Sequence, residues 1–381
     1  MIYLVIEFLD ELVFGVNDAA WPLIRTDLGL NYAQIGILLS LPGLIANFIE
    51  PFLFVLSDIW RRRAILLAGG FFFTLSMVVV ALSRNFTLLL LALILFNPAS
   101  GAFVGLSQAS LMDSDQRRHE HNMARWTFAG SVGVFAGPLL LGGLLTMGLG
   151  WRASFWLLAA FSTLVLAAAI RRLPSTKSDD ADFPSARAFL ESLRTALSAL
   201  KDKTVLRWLV LLEFSDLMLD VLYGFLALYF VDVAGFAPSF AAFSVAIWTG
   251  LGLLGDFLLI PLVERVKGLD YLRISVVLEL MLFPAFLMVT IPWLKLSLLG
   301  LLGFFNSGWY AILKASLFSA LPGRSGAAIA LDNVSGMFGR LLPLGIGMAA
   351  QAFGLGTAMW LLLAGPIVLL IGLPRRVSVN R

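Results

Sequence analysis

Apolar residues run through this chain in long blocks rather than in narrow stripes. Stretches of about 20 residues with few charges recur from end to end, divided by short polar breaks. Each block has the length a helix needs to cross about 30 Å of hydrocarbon. The strict apolar–polar alternation of an outer-membrane barrel is absent from the sequence. The pattern predicts helices over 3–25, 34–57, 64–84, 87–112, 127–148, 152–170, 207–231, 240–263, 271–292, 296–320, 328–351 and 355–374. The expected fold class is an all-α polytopic membrane protein: twelve transmembrane helices in two pseudo-symmetric six-helix bundles, 1–172 and 206–381. Between them, 173–205 reads as a cytoplasmic linker. It opens on a polar run from Pro174 to Asp182, then places Phe189, Leu190, Leu193, Leu197 and Leu200 at helical spacing. That spacing predicts an amphipathic helix at the membrane surface.

The polar interruptions inside the blocks repeat. Glu7-Phe8-Leu9-Asp10 is echoed by Glu213-Phe214-Ser215-Asp216, a shift of 206 residues. The same shift carries Gly29 onto Gly235, Glu50 onto Asp256, Asp58 onto Glu264, and Ala109-Ser110-Leu111 onto Ala315-Ser316-Leu317. No gap is needed across the first four helices of each half. Parallel repeats of this kind build one large class of membrane transporters.

Carboxylates inside the blocks are the strongest pointer to chemistry. A charge in hydrocarbon is costly, and such residues face a wet cavity or a partner in the bundle. At about 100° per residue, Glu7, Glu11 and Asp18 share one face of the first helix, with Asp10 nearby. The seventh helix repeats the design with Glu213, Asp216 and Asp220, and Tyr223 adjacent. Glu50, Asp256 and Glu279 bring the total to ten acids, against two bases within blocks, Lys314 and Arg340. Internal ion pairs cannot neutralise ten acids with two bases, so protons, water or a bound cation must serve the remainder. A buried, clustered carboxyl holds its proton more readily than one in water. These acids are therefore candidates for binding cation and proton in competition. Asp10, Asp18, Asp216 and Asp220 are expected to matter most, with Glu7 and Glu213 nearer one mouth. Lys314 is expected to pair with Asp10 or Glu213, Arg340 with Asp216, Asp220 or Glu279, and Glu279 to have a structural partner. Trp309 and Tyr310 are candidates to attract an organic cation through their ring faces.

Composition narrows the classes. The chain is 60% hydrophobic and 13% charged, with no cysteine and two histidines. Disulfides and thiolate metal sites are excluded, and neither a metal site nor a cofactor is expected. The net charge of +3 does not point to nucleic acid, because the basic residues sit at helix ends. With both termini in the cytoplasm, 21 Lys and Arg fall on the cytoplasmic side and four on the other. That bias predicts a multi-pass protein of the inner (plasma) membrane with both termini inside. The first apolar run carries four acids and no basic leader, which argues against a signal peptide. His119 and His121 lie in an expected loop, and no G-K-[ST] phosphate loop occurs. Neither an enzyme nor an ATP-driven pump is expected.

Two motifs bring a resemblance. Leu56-Ser57-Asp58-Ile59-Trp60-Arg61-Arg62-Arg63 is similar to the G-x-L-A-D-R-x-G-R-R loop of the major facilitator superfamily, matching at Asp58, Arg62 and Arg63. Gly133-Val-Phe-Ala-Gly137-Pro138, followed by Gly142-Gly143, resembles the G-x-x-x-G-P motif of its antiporters. The resemblance implies a central cavity lined by helices 1, 4, 7 and 10, which would place Gln108 and Lys314 at equivalent positions there. It implies gating roles for Asp58, Arg62, Arg63, Gly133, Gly137 and Pro138. Asn97 stands where many proton-coupled members carry an arginine, so coupling would fall to the acids of helices 1 and 7. The reading is a monomeric, proton-coupled carrier working by alternating access and exporting a cationic or amphipathic organic compound. Uptake of a cationic metabolite or divalent metal, or lipid flipping, are the alternatives.

Overall fold

A computed structural model describes residues 1–59, 62–113, 119–173, 202–263, 265–320 and 335–374. The side chain of Asp58, Arg61 and the core of the expected linker helix lie outside these described residues. The described chain is helical throughout, with turns and short breaks between the helices.

Helices α1 (Ile2–Leu28), α2 (Tyr32–Ile59) and α3 (Arg62–Leu82) follow one another through short turns. Gly29 ends α1 in the left-handed conformation, φ 62°, and its N–H returns to the Arg25 carbonyl. Helix α4 (Phe86–Ser100) starts where the Asn85 side chain accepts the Leu88 N–H at 2.9 Å. It then widens into a π-helical segment, Gly101–Gly105, before α5 (Leu106–Asp113). Pro98 lies just upstream, and a proline removes an N–H from the ladder and favours such irregularity. Next come α6 (His119–Thr146) and α7 (Trp151–Arg172).

After residue 202 the chain forms α8 (Lys203–Ser215), a second π-helical segment (Leu217–Val221) and α9 (Leu222–Asp232). Asp202 caps α8 through the Thr204 N–H at 2.7 Å. Helices α10 (Pro238–Val263) and α11 (Gly268–Met288) precede a helix that breaks in its middle. Its parts are α12 (Pro292–Asn306) and α13 (Trp309–Ala320), parted at Ser307-Gly308, where Gly308 has φ 74°. Residues 335–339 are helical, the turn at 340–341 interrupts them, and α14 (Leu342–Phe353) resumes. The chain then adds α15 (Leu355–Met359), a 3₁₀ turn at Trp360–Leu363 and α16 (Ala364–Gly372).

Nine segments among the described residues are long and apolar enough to cross a membrane. Three of the twelve expected spans are not among them. The first, Ile2–Leu28, is a continuous helix loaded with acids; the seventh is split by its π segment; the eleventh is broken at 340–341.

The described residues fall into two compact units, one drawn from 1–186, 224–246 and 340–355, the other from 187–223, 247–339 and 356–381. In the first, α1 lies along α6 and α2 along α14. Small residues allow both approaches: Gly15 faces Gly137 and Pro138, and Gly36 faces Pro343 and Gly347. In the second, α8 packs on α13 and α16, and α11 on α12 and α16.

Candidate functional site: acids set against irregular helices

In the first unit, Asp10 is buried on α1, 6% exposed, and its Oδ1 accepts the Ser100 hydroxyl at 2.8 Å. Ser100 is the last residue of α4 before the π segment. Glu50 reaches the same place from α2: a Cβ added at Gly101 would overlap its carboxylate. Glu7, one turn before Asp10, is also buried and lies over Gly130 of α6, where a Cβ would come within 2.6 Å of its Oε1. The charge of Asp10 acts on Glu7, and that of Glu50 acts on Asp10. Three acids thus converge where α4 departs from regular geometry. Glycines at 101 and 130 make the room; any side chain there would evict a carboxylate.

Arg340 belongs to this group. It leaves the break before α14, passes over Gly43 of α2, where a Cβ would sit 3.1 Å from its Cδ, and interacts electrostatically with Glu50. Its acid is therefore Glu50, not the expected Asp216, Asp220 or Glu279. The break at 340–341 turns the side chain toward α2, an orientation that helical periodicity does not foretell.

The second unit holds a related set. Glu213 accepts the Ser335 hydroxyl at 2.6 Å and lies against Gly339, with Asp216 next to it. Asp256, on α10, accepts the Gly308 N–H at 3.0 Å and so caps the start of α13 from a neighbouring helix. Asn306 donates to the Met218 carbonyl at 2.8 Å, within the π segment that follows Asp216. Under the shift of 206, Ser100 corresponds to Asn306 and Gly101 to Ser307. In each unit, then, an acid on the second helix of the repeat meets the backbone where the fourth helix is irregular. The parallel stops at these positions: the π segment at 217–221 has no counterpart in α1, which is continuous.

Other predicted residues separate. Asp18 accepts the Trp21 indole N–H at 3.1 Å, and Asp220 is exposed on its π segment. Glu11 and Gln108 are half-buried. Asn97 donates to the Leu93 carbonyl at 3.0 Å within its own helix. Lys314 donates to Tyr310 Oη at 2.9 Å. Trp309, taken above as a possible cation-binding face, is instead fully buried, with its N–H on Ser275 Oγ at 2.8 Å; Tyr310 is exposed. The break at 307–308 turns Trp309 inward and Tyr310 outward. A half-buried aromatic pair occurs elsewhere, where Tyr223 stacks on Trp248 at 5.4 Å. Glu279 is fully buried on α11, and neither of its oxygens has a hydrogen-bond partner among the described residues, contrary to the partner expected for it.

The gating candidates are well placed for close contact. Gly133 and Gly137 lie against the backbone of α1 at Phe8, Leu12, Gly15 and Val16. Pro138 Cδ touches the same surface at Gly15. Arg63 donates to the Ile170 carbonyl at 2.6 Å, tying α3 to the end of α7; Arg62 opens α3.

Sequence reasoning missed one constellation in the first unit. At the end away from the basic loops, Arg25 meets Asp232 at 3.5 Å and stacks over the Tyr32 ring at 4.5 Å. Tyr32 Oη donates to Asp232 at 3.0 Å, and the Tyr32 N–H donates to Gln351 at 3.1 Å. The ends of α1, α2, α9 and α14 are joined there. Asp232 carried no signal beyond being an acid at a helix end.

Comparison with known proteins follows from this geometry. The Major Facilitator Superfamily profile matches residues 3–344. The chain belongs to the Major Facilitator Superfamily. It is a multi-pass membrane protein of that family. The chain is 33% identical over 153 residues to the inner membrane transport protein YajR of Escherichia coli, covering 39% of this chain and 33% of YajR. It is 30% identical to the MFS-type transporter M6 of Phoma sp., covering 37% of this chain and 26% of M6. The chain thus spans about a third or less of these curated relatives. The fold is similar to that of the nucleoside transporter NupG, with a TM-score of 0.79, 15% identity and coverage of 98% and 97% of the two chains. It is also similar to a bacterial homolog of the human lysosomal transporter Spinster, with a TM-score of 0.73, 17% identity and coverage of 98% and 92%.

Proposed function

We propose that this member of the superfamily is a proton-coupled carrier that works by alternating access of two six-helix bundles and exports an organic cation. The observation that carries the reading is the Asp10 group. Asp10, a buried carboxylate held by Ser100, interacts with Glu7 on one side and Glu50 on the other, and the Arg340 guanidinium acts on Glu50. Such a group holds protons or a bound cation, and occupation by one disfavours the other. That competition is what exchange of a proton for a cationic cargo requires. In the second unit, exposed Asp220 lies one turn from the Tyr223–Trp248 stack. An acid beside an aromatic surface suits an organic cation with an apolar body. The Lys and Arg bias supports placement in the inner membrane with both termini cytoplasmic. In this scheme Arg340 releases Glu50 when cargo enters, and the glycine contacts of α6 let α1 move with it as one body.

The test is flux in proteoliposomes under an imposed pH gradient, with a panel of organic cations. Wild type should move at least one of them against the proton gradient. Asp10→Asn should bind cargo but lose the dependence on the gradient. Gradient-driven transport unchanged in Asp10→Asn would refute the role of this group.

A further inference from the structure

The buried acid that this scheme leaves unused is Glu279. It sits on the inward face of α11 in line with Ser275, Val276 and Phe283, all 1% exposed or less. Both of its oxygens are buried without a hydrogen-bond partner among the described residues. An ionised carboxylate left so is far more costly than a neutral acid in the same place.

Among the described residues, the surrounding charges do not supply a counterion. On α11 itself, Asp270 is paired with Arg273 at 2.7 Å, and Arg273 also donates to the Pro374 carbonyl. Tyr271 is committed to Ser307 and the Phe305 carbonyl. From α12, Lys295 donates to the Phe286 carbonyl at 2.6 Å. From α13, Lys314 and Tyr310 bond one another. The 3₁₀ turn at Trp360–Leu363 and α16 carry no charged residue. Asp256, on α10, adds a second acid that acts on Tyr271.

We propose that Glu279 is a proton-binding site of the second unit, occupied as the neutral acid at rest and tied to the break between α12 and α13. The tie lies in its neighbours. One turn back on the same face, the Ser275 hydroxyl accepts the Trp309 indole N–H at 2.8 Å. A further turn back, Tyr271 Oη engages the Ser307 carbonyl and hydroxyl, each at 3.2 Å. The two contacts brace Ser307 and Trp309, the residues on either side of Gly308 at the break. A deprotonated Glu279 calls for donors, and those of its own face belong to this brace. They are Ser275, whose hydroxyl is given to the Leu272 carbonyl, and Tyr271, whose hydroxyl the Glu279 charge acts on; drawing on either loosens the brace. Proton loss at Glu279 therefore favours movement at 307–308. This site does not draw on the Asp10 group and stands whether or not that group couples transport.

The experiment is infrared difference spectroscopy of the full chain in lipid across a pH titration, with Trp fluorescence recorded in parallel. A carboxylic-acid band that vanishes at alkaline pH should be present in wild type and lost in Glu279→Gln. The alkaline change in fluorescence should be lost in Glu279→Gln and in Trp309→Phe. As a check independent of that variant's folding, Glu279→Leu should be at least as stable as wild type at alkaline pH, because it removes a charge with no partner. A band unchanged in Glu279→Gln would overturn the proposal, as would marked destabilisation by Glu279→Leu, which would reveal a carboxylate engaged by a partner. Either outcome leaves the flux test of Asp10 unaffected.

Discussion

Alanine placed along α6 should read out how α1 is held, residue by residue. Gly130, Gly133 and Gly137 all face α1, yet a Cβ would meet different things at each. At Gly133 it would lie 2.5 Å from the Phe8 carbonyl oxygen and 3.0 Å from the Leu12 nitrogen; at Gly137, 2.6 Å from the backbone of Gly15 and Val16. Backbone cannot swing aside, so the helices must part by roughly 0.8 Å to restore ordinary contact, and overpacking of this kind costs about 1–3 kcal/mol. At Gly130 the obstacle is Glu7 Oε1 at 2.6 Å, the end of a side chain that can move. At Gly143 nothing lies within 4 Å. All four positions gain about 1 kcal/mol of helix propensity when Gly becomes Ala, so Gly143→Ala serves as the reference. Thermal unfolding of the purified protein should place Gly133→Ala and Gly137→Ala about 1–3 kcal/mol below that reference. Gly130→Ala should unfold close to the reference but show altered transport, because it displaces an acid of the candidate site. Equal stability across all four variants would refute the close packing of α1 on α6. Loss of stability in Gly130→Ala without any change in flux would refute the link to Glu7.

Other expectations follow from single contacts. Trp309→Phe removes the N–H on Ser275 and should cost about 0.5–1.5 kcal/mol in thermal unfolding, with Ser275→Ala adding little more in the double variant. Glu50→Gln and Arg340→Leu should show coupling of about 0.2–1 kcal/mol in a double-mutant cycle, since the guanidinium is exposed, but both should impair transport. Asp232→Asn should leave the fold intact and shift a thiol introduced at Tyr32 from protected to reactive. The chain has no native cysteine, so that labelling has no background.

Much of this arrangement was legible in sequence because it rests on composition and period. Runs of about 20 apolar residues announce spans, and the cost of charge in hydrocarbon singles out Asp10, Glu50 and their counterparts. The repeat carried Glu50 onto Asp256 before any contact was known. Three things were not legible. The breaks at 307–308 and 340–341 have breaker residues beside them, Asn306-Ser307-Gly308 and Gly339 with Pro343, but inside long apolar runs these do not tell which way Trp309 and Arg340 will turn. The partner of Arg340 depends on a glycine at 43, far away in the chain. Asp232 acquires meaning only through Arg25 and Tyr32, which are distant in sequence and close in space.

That last cluster differs in kind from the Asp10 group. Asp10 and Ser100 meet where water is scarce, so dissolved ions scarcely alter their attraction. Arg25 and Asp232 keep 26% and 15% of their side chains open to the medium. Exposed charges are screened over about 8–10 Å at physiological ionic strength, and more strongly in brine. The joint between α1, α2, α9 and α14 should thus weaken as the medium at that end grows saltier. Raising ionic strength should therefore loosen the contacts at this end of the unit while leaving the Asp10–Ser100 contact intact.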